Sequence, residues 1–246
     1  MDEEGRAAAS AAAASAAASP LSAGALSAGP VSAGPVSAGP VSAGMRALLA
    51  RRSAELGSGA TDVGWKIGFN TPAIQQHFGL TTPVVGYLCS NTVRSADVPV
   101  DLSGWERPAL EVEVAITVGA DGSVAALAPA LELVDLDLPF DRIEPILAGN
   151  VFHRGVIFGS EVPGADVRDL AVSVVKAGEL VADGRLVEEP VTTVEVVTIF
   201  LEQHGARLLA GHRIIAGSMI PPLTIAPGDQ LEVSFGVLGS IAVTFC

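Results

Sequence analysis

The chain has 246 residues, a formal net charge of −13, and a hydrophobic content of 49% with only 4% aromatics. That acidity excludes a nucleic-acid partner, because neutralising phosphates needs clustered Lys and Arg, and none is visible. Two cysteines, Cys89 and Cys246, are too few for a disulfide framework, and every apolar run is broken by Gly, Pro or charge before the roughly 18 residues that a membrane-spanning helix requires.

Residues 1–44 are almost wholly Ala, Ser, Gly, Pro, Val and Leu, with Pro-Val-Ser-Ala-Gly repeating from Pro30 to Gly44. A five-residue period containing Pro and Gly matches neither helix nor strand and builds no core. It predicts a disordered tail over 1–44 and one folded domain over 45–246, with Met45 a candidate translation start. The opening Met-Asp-Glu-Glu lacks the basic region of a secretory signal, and with the cysteine usage it predicts a cytoplasmic protein.

Arg46–Leu56 reads as an amphipathic helix with Leu48, Leu49 and Leu56 on its apolar side and Gly57 as its stop. Val63–Phe69 reads as a strand carrying Lys66, one of only two lysines in the chain. A lysine inside an apolar strand either snorkels or serves as a proton-transfer group or carboxylate anchor. Thr71 caps a short helix over Pro72–Phe78, and Val84–Leu88 is the next strand.

Ala109–Val118 reads as a buried strand interrupted by Glu111 and Glu113. Residues two apart on a strand share a face, so both carboxylates project together, about 6–7 Å apart. Such a pair belongs to a solvated edge, or is protonated, or shares a cation. Gly119-Ala-Asp-Gly122 is a turn signal that folds the next apolar run, Pro129–Asp135, back onto this strand and brings Glu132 toward the pair. Three carboxylates on a rigid sheet suit Mg²⁺ or Mn²⁺, whereas no Cys or His has zinc-like spacing. Asp135 either supports the metal ligands from behind, or acts as a cap, or faces solvent.

A helix is predicted over Asp141–Leu147 with Asp141 at its N-cap, then a strand over Phe152–Phe158. Asn150, His153 and Arg154 either bind a substrate carboxylate or enol, or fill turn and surface roles. Ala171–Lys176 and Arg185–Glu188 read as hairpin strands around Asp183-Gly184. Pro190 opens a helix that buries Val194, Val197, Phe200 and Leu201, and Arg213–Ala216, Leu231–Phe235 and Ile241–Phe245 are the last strands.

Glu111-x-Glu113 followed by Ala130-Leu-Glu132 resembles the metal-binding set of the fumarylacetoacetate hydrolase superfamily, more narrowly its 2-keto-4-pentenoate hydratase and 2-oxohexenedioate decarboxylase branch. Gly64-Trp-Lys-Ile-Gly-Phe69, Pro83-x-x-Gly86-x-Leu88, Ala148-Gly-Asn150, Gly217-Ser-Met-Ile-Pro-Pro222, Pro227-Gly-Asp229 and Gly236-x-Leu-Gly-Ser240 agree in order, from about Met45 to the end. The resemblance implies an α+β, mostly β fold: a mixed β-roll or sandwich of the family's C-terminal domain type with a few peripheral helices. It implies a homo-oligomer in which Lys66 acts in catalysis, Glu111, Glu113 and Glu132 hold Mg²⁺ or Mn²⁺, and Asn150, His153, Arg154 and Ser218 meet the substrate. The implied activity is hydration of a small 2-hydroxy-2,4-dienoate through its 2-oxo-3-enoate tautomer, as in aromatic-compound catabolism. The alternatives are decarboxylation of a 2-oxo-3-hexenedioate, acylpyruvate hydrolysis, and a non-catalytic partner subunit. Hydratases of the family often carry Asp where this chain has Val84, whereas decarboxylase-like members are apolar there.

Overall fold

The computed structural model describes residues 39–246, so the reading of residues 1–38 as a tail lies outside the described residues. The first element among the described residues, α1, runs Pro40–Gly57 and so begins inside the repeat, five residues before Met45. Pro40 sits in the first turn, where its missing N–H leaves no helical bond unmade. Ser42, Gly44, Met45 and Leu48 are buried, with Gly44 packed on Leu147. Packing therefore turns residues 40–44 into helix, correcting the expected start of the folded part.

Nine strands form one sheet. β1 (Asp62–Gly68) is followed by helix α2 (Pro72–Phe78), β2 (Val84–Cys89) and β3 (Val93–Arg94). Then come β4 (Pro108–Val118), β5 (Val124–Asp135), helix α3 (Ile143–Ala148), β6 (His153–Phe158) and β7 (Val162–Pro163). A second hairpin, β8 (Ala171–Lys176) and β9 (Glu179–Arg185), precedes helix α4 (Pro190–Gln203). The chain ends with β10 (Arg213–Ile215), β11 (Leu223–Thr224), β12 (Gln230–Ser234) and β13 (Ser240–Thr244).

The large sheet has the order β2-β1-β10-β4-β5-β6-β3, with β11 on β4 and β7 on β5. Its two ends, β2 and β3, are separated in sequence by only Ser90–Thr92. So short a link brings the ends together only if the sheet curls almost into a closed roll. The outer face carries Trp65, Tyr87, Val112, Val114, Ile116, Leu131 and Leu133, part of the main core. The inner face carries a separate small cluster that includes Ala115, Ala128, Ala130, Val156 and Ile215. Small side chains there let the sheet curl without overfilling its interior. Strands β13-β12-β8-β9 form a second, four-stranded sheet, giving the mostly β roll with peripheral helices that the sequence implied.

Three local expectations differ. The β8–β9 turn is Ala177-Gly178, both left-handed at φ 52° and 84°, and Asp183-Gly184 lies within β9. Gly184 is needed there because a side chain would run into the Met219 carbonyl. Helix α3 starts at Ile143 with Arg142 at its N-cap, so Asp141 does not cap it. Strand β4 is no solvated edge: it is flanked by β10 and β11 on one side and β5 on the other. No helix among the described residues is long and apolar enough to cross a membrane.

Candidate active site

Register assembles the site. In the β4–β5 ladder Glu111 faces Glu132 directly, and Glu113 faces Ala130, one pleat further along the same face. On β1, Lys66 pairs with Ile215 of β10, which pairs in turn with Ala115 of β4, so Lys66 also falls on the inner face. Ligand oxygens of Glu111, Glu113 and Glu132 lie within 4.8 Å of one another. Lys66, Glu113 and Glu132 are at most 1% exposed, while Glu111 is partly buried.

Each buried carboxylate has one oxygen engaged and one free. Glu132 Oε1 accepts from Lys66 Nζ and lies 2.7 Å from His153 Nδ1. Glu113 Oε2 accepts from the Gly217 N–H at 2.7 Å. Glu132 Oε2 and Glu113 Oε1 are buried without any hydrogen-bond partner. A buried unpartnered carboxylate oxygen is costly, and two of them in one trio suit a bound hard cation.

Titration follows the same geometry. Burial first, then the charge of Glu132, pushes the Glu111 carboxyl up to about 7. Burial, then Glu132 and Glu111 respectively, holds Glu113 well above its ordinary range. Burial also pushes Glu132 upward, but the Lys66 ammonium and His153 outweigh it, and this carboxyl sits below its ordinary value. Burial depresses the His153 imidazole despite the opposing pull of Glu132. One ionised carboxylate thus sits beside two that favour protons, a cluster able to exchange protons for one dication.

Other candidate residues have different places. Asn150 does not reach out to a ligand: its Oδ1 accepts from the Tyr87 N–H at 2.9 Å and its Nδ2 donates to the Tyr87 carbonyl at 3.0 Å. Arg154 pairs with Asp137 at 2.7 Å, outside the trio. Asp135 is buried, not solvent-facing, and accepts from the Arg107 N–H at 2.7 Å and the Glu106 N–H at 3.2 Å, capping the chain that leads into β4. Ser218 Oγ accepts from the Val112 N–H and donates to the Ile220 carbonyl, fixing the loop after Gly217. A cleft of about 550 Å³ is lined by Asp62, Ser90, Phe158 and Arg213 among others, and by none of the three clustered glutamates.

Sequence reasoning missed the parts played by five contributors. Thr92 Oγ1 lies 2.9 Å from His153 Nε2, and the Val151 carbonyl accepts from Lys66 Nζ at 3.0 Å. Gly86 faces Lys66 across β1–β2, where a Cβ would sit 2.8 Å from Lys66 Cγ and 2.7 Å from Asn150 Oδ1. Asn70 packs on Gly217, whose φ of 94° and lack of Cβ let its N–H reach Glu113. Only the glycines left a signal, since both lie in segments that carry the resemblance.

No family model matches the chain. Among curated proteins it is 28% identical over 218 residues to a 4-oxalocrotonate decarboxylase of Pseudomonas putida, covering 80% of this chain and 81% of the relative. It is 25% identical over 203 residues to a 2-keto-4-pentenoate hydratase of Paraburkholderia xenovorans, covering 74% and 76%. Among solved structures, 4-oxalocrotonate decarboxylase from Pseudomonas putida G7, complexed with magnesium and adipate, aligns with a TM-score of 0.73 at 23% identity. That alignment covers 81% of this chain and 83% of the other. Fumarylpyruvate hydrolase from Pseudomonas aeruginosa, in complex with Mn²⁺ and pyruvate, aligns at 0.56 and 19%, over 74% of this chain and 88% of that one.

Proposed function

We propose that the chain is a divalent-metal-dependent lyase of the fumarylacetoacetate hydrolase superfamily, in the branch of the 4-oxalocrotonate decarboxylases and 2-keto-4-pentenoate hydratases, acting on a small unsaturated 2-oxo acid. The observation that carries this is the pair of partnerless buried oxygens, Glu113 Oε1 and Glu132 Oε2, in one trio with Glu111. Glu111, Glu113 and Glu132 would hold Mg²⁺ or Mn²⁺. When bound, such an ion supplies Lewis-acid neutralisation of the charge that develops on the substrate's 2-oxo oxygen.

Within the branch we favour decarboxylation of a 2-oxo-3-enedioate, the second reading of the sequence, over hydration. Loss of CO₂ breaks one carbon–carbon bond, and its electron pair moves into the conjugated enolate. A proton then closes the reaction at carbon. Lys66 Nζ has three N–H groups and gives one each to Glu132 and Val151, leaving a third to orient the substrate or deliver that proton. Hydration also needs a polar group that aims water at the far carbon. Val84, 1% exposed, shares the inner face with Lys66 through its pairing with Gly68. Asn150 and both His153 nitrogens are committed to protein partners. Hydration, the first reading of the sequence, is the alternative, favoured by the hydratases among the relatives.

The test is a panel of 2-hydroxy-dienoates and 2-oxo-enedioates with Mg²⁺ or Mn²⁺, following ultraviolet loss of conjugation and CO₂ release together. Release of CO₂ from the enedioates supports the favoured reading. Loss of the dienoate absorbance without CO₂ selects hydration, and no turnover of either class refutes both.

A further inference from the structure

His153 occupies its place at a conformational cost. Asn150, Val151 and Phe152 take three successive left-handed conformations, at φ 62°, 52° and 65°. Such conformations are unfavourable for residues with side chains, most of all for β-branched Val151, and persist where surrounding bonds over-determine them. The two hydrogen bonds between the Asn150 side chain and Tyr87 do so here. Immediately afterwards the β5–β6 ladder slips: Leu133 pairs with Gly155 but Val134 pairs with His153, leaving Arg154 as an extra residue. One inserted residue reverses which face the following side chains take. Without the slip His153 would lie on the face opposite Glu132; with it the imidazole turns inward and Arg154 turns out to Asp137.

Both imidazole nitrogens are then used. Glu132 is a carboxylate and only accepts, so Nδ1 donates to Oε1, while Nε2 lies 2.9 Å from the Thr92 hydroxyl, whose one proton is shared between this nitrogen and the Cys89 carbonyl at 3.0 Å. Thr92 lies in the short link that closes the sheet, so His153 ties the closure of the roll to the carboxylate trio. The terminal torsion of a glutamate is broad and nearly two-fold, so a single contact does not decide which oxygen faces which way. Lys66 and His153 reach the same oxygen from different strands, β1 and β6.

We infer that His153, set by the Arg154 bulge and braced by Thr92, is a positioning residue that fixes the Glu132 carboxylate with Oε1 turned to the protein and Oε2 presented to a divalent cation. This rests on the reading of the trio as a metal site. A hydrogen-bonding partner behind a metal ligand typically contributes about 10–100-fold in metal affinity.

The experiment is Mn²⁺ titration of the full chain by electron paramagnetic resonance, with no substrate, for wild type, His153→Leu, His153→Asn, Thr92→Val and Thr92→Ser. Wild type binds one Mn²⁺, and His153→Leu weakens binding by about 10–100-fold. His153→Asn, whose amide can donate from near the Nδ1 position, restores most of the affinity. Thr92→Val, which keeps the ring but frees it, weakens binding severalfold, and Thr92→Ser restores it. A wild type that binds no Mn²⁺ overturns the metal reading itself. A wild type that binds, with His153→Leu folded and equally tight, overturns the positioning role alone. Should His153→Leu fail to fold, unchanged affinity in Thr92→Val overturns it.

Discussion

Three carboxylates facing one another inside a sheet destabilise the chain whenever no cation is bound, and Glu111→Gln exposes that cost. At 4.8 Å, the outer limit of the trio's ligand-oxygen separations, two unit charges repel by about 3.5 kcal/mol at an effective dielectric of 20. Linkage gives a similar figure. The Glu111 carboxyl is raised from 4.5 to about 7 in the folded protein, a difference on the order of 3 kcal/mol. Because its folded value is the higher one, the native state binds the extra proton more tightly, and stability falls as pH rises from 4.5 to about 7. Above that range the whole penalty is present; below 4.5 both states are protonated and it vanishes. Gln carries no charge at any pH but loses some hydrogen-bonding fit, so the net gain is about 1–3 kcal/mol. In urea unfolding with a chelator at pH 8, Glu111→Gln is therefore more stable than wild type, and near pH 4 the two coincide. Excess Mn²⁺ at pH 8 reverses the order, because wild type gains binding energy that the variant lacks. A variant less stable than wild type at pH 8 in chelator would refute the reasoning.

Two more outcomes follow from packing. Gly86→Ala places a methyl against Lys66 Cγ and Asn150 Oδ1, and overpacking of this kind costs about 1–3 kcal/mol in urea unfolding; an unchanged midpoint would contradict the close approach. Cys89 is fully buried, and burial raises its thiol to about 11, whereas Cys246 is exposed. A thiol reagent at pH 8 should thus label one cysteine per native chain and two after denaturation, and rapid labelling of both in the native protein would contradict this.

Sequence carried the central geometry because it is local. The i, i+2 spacing of Glu111 and Glu113 and the turn at Gly119–Gly122 lay β5 back along β4, and a one-residue register shift beside Val118, which no spacing marks, then sets Glu132 opposite Glu111. Lys66 stood out because a lone lysine in an apolar strand asks for a partner, though Glu132 as that partner depends on β10 slotting between β1 and β4. What was not legible depends on closure of the roll and on backbone irregularity. Thr92 meets His153 across 61 residues, and His153 faces inward through a one-residue bulge that no periodicity marks. Asp183-Gly184 misled because its glycine answers a close backbone approach within a strand, not a turn. Repeat residues 40–44 misled because their helix is stabilised by burial against α3, which composition does not reveal.

Everything functional above depends on the trio sharing one dication. Crystals of the full chain soaked in Mn²⁺ and measured for anomalous scattering should show a single peak bounded by oxygens of Glu111, Glu113 and Glu132, and Glu113→Gln should lose it. Mn²⁺ found only elsewhere, with the three carboxylates bare in a well-ordered roll, would contradict the account.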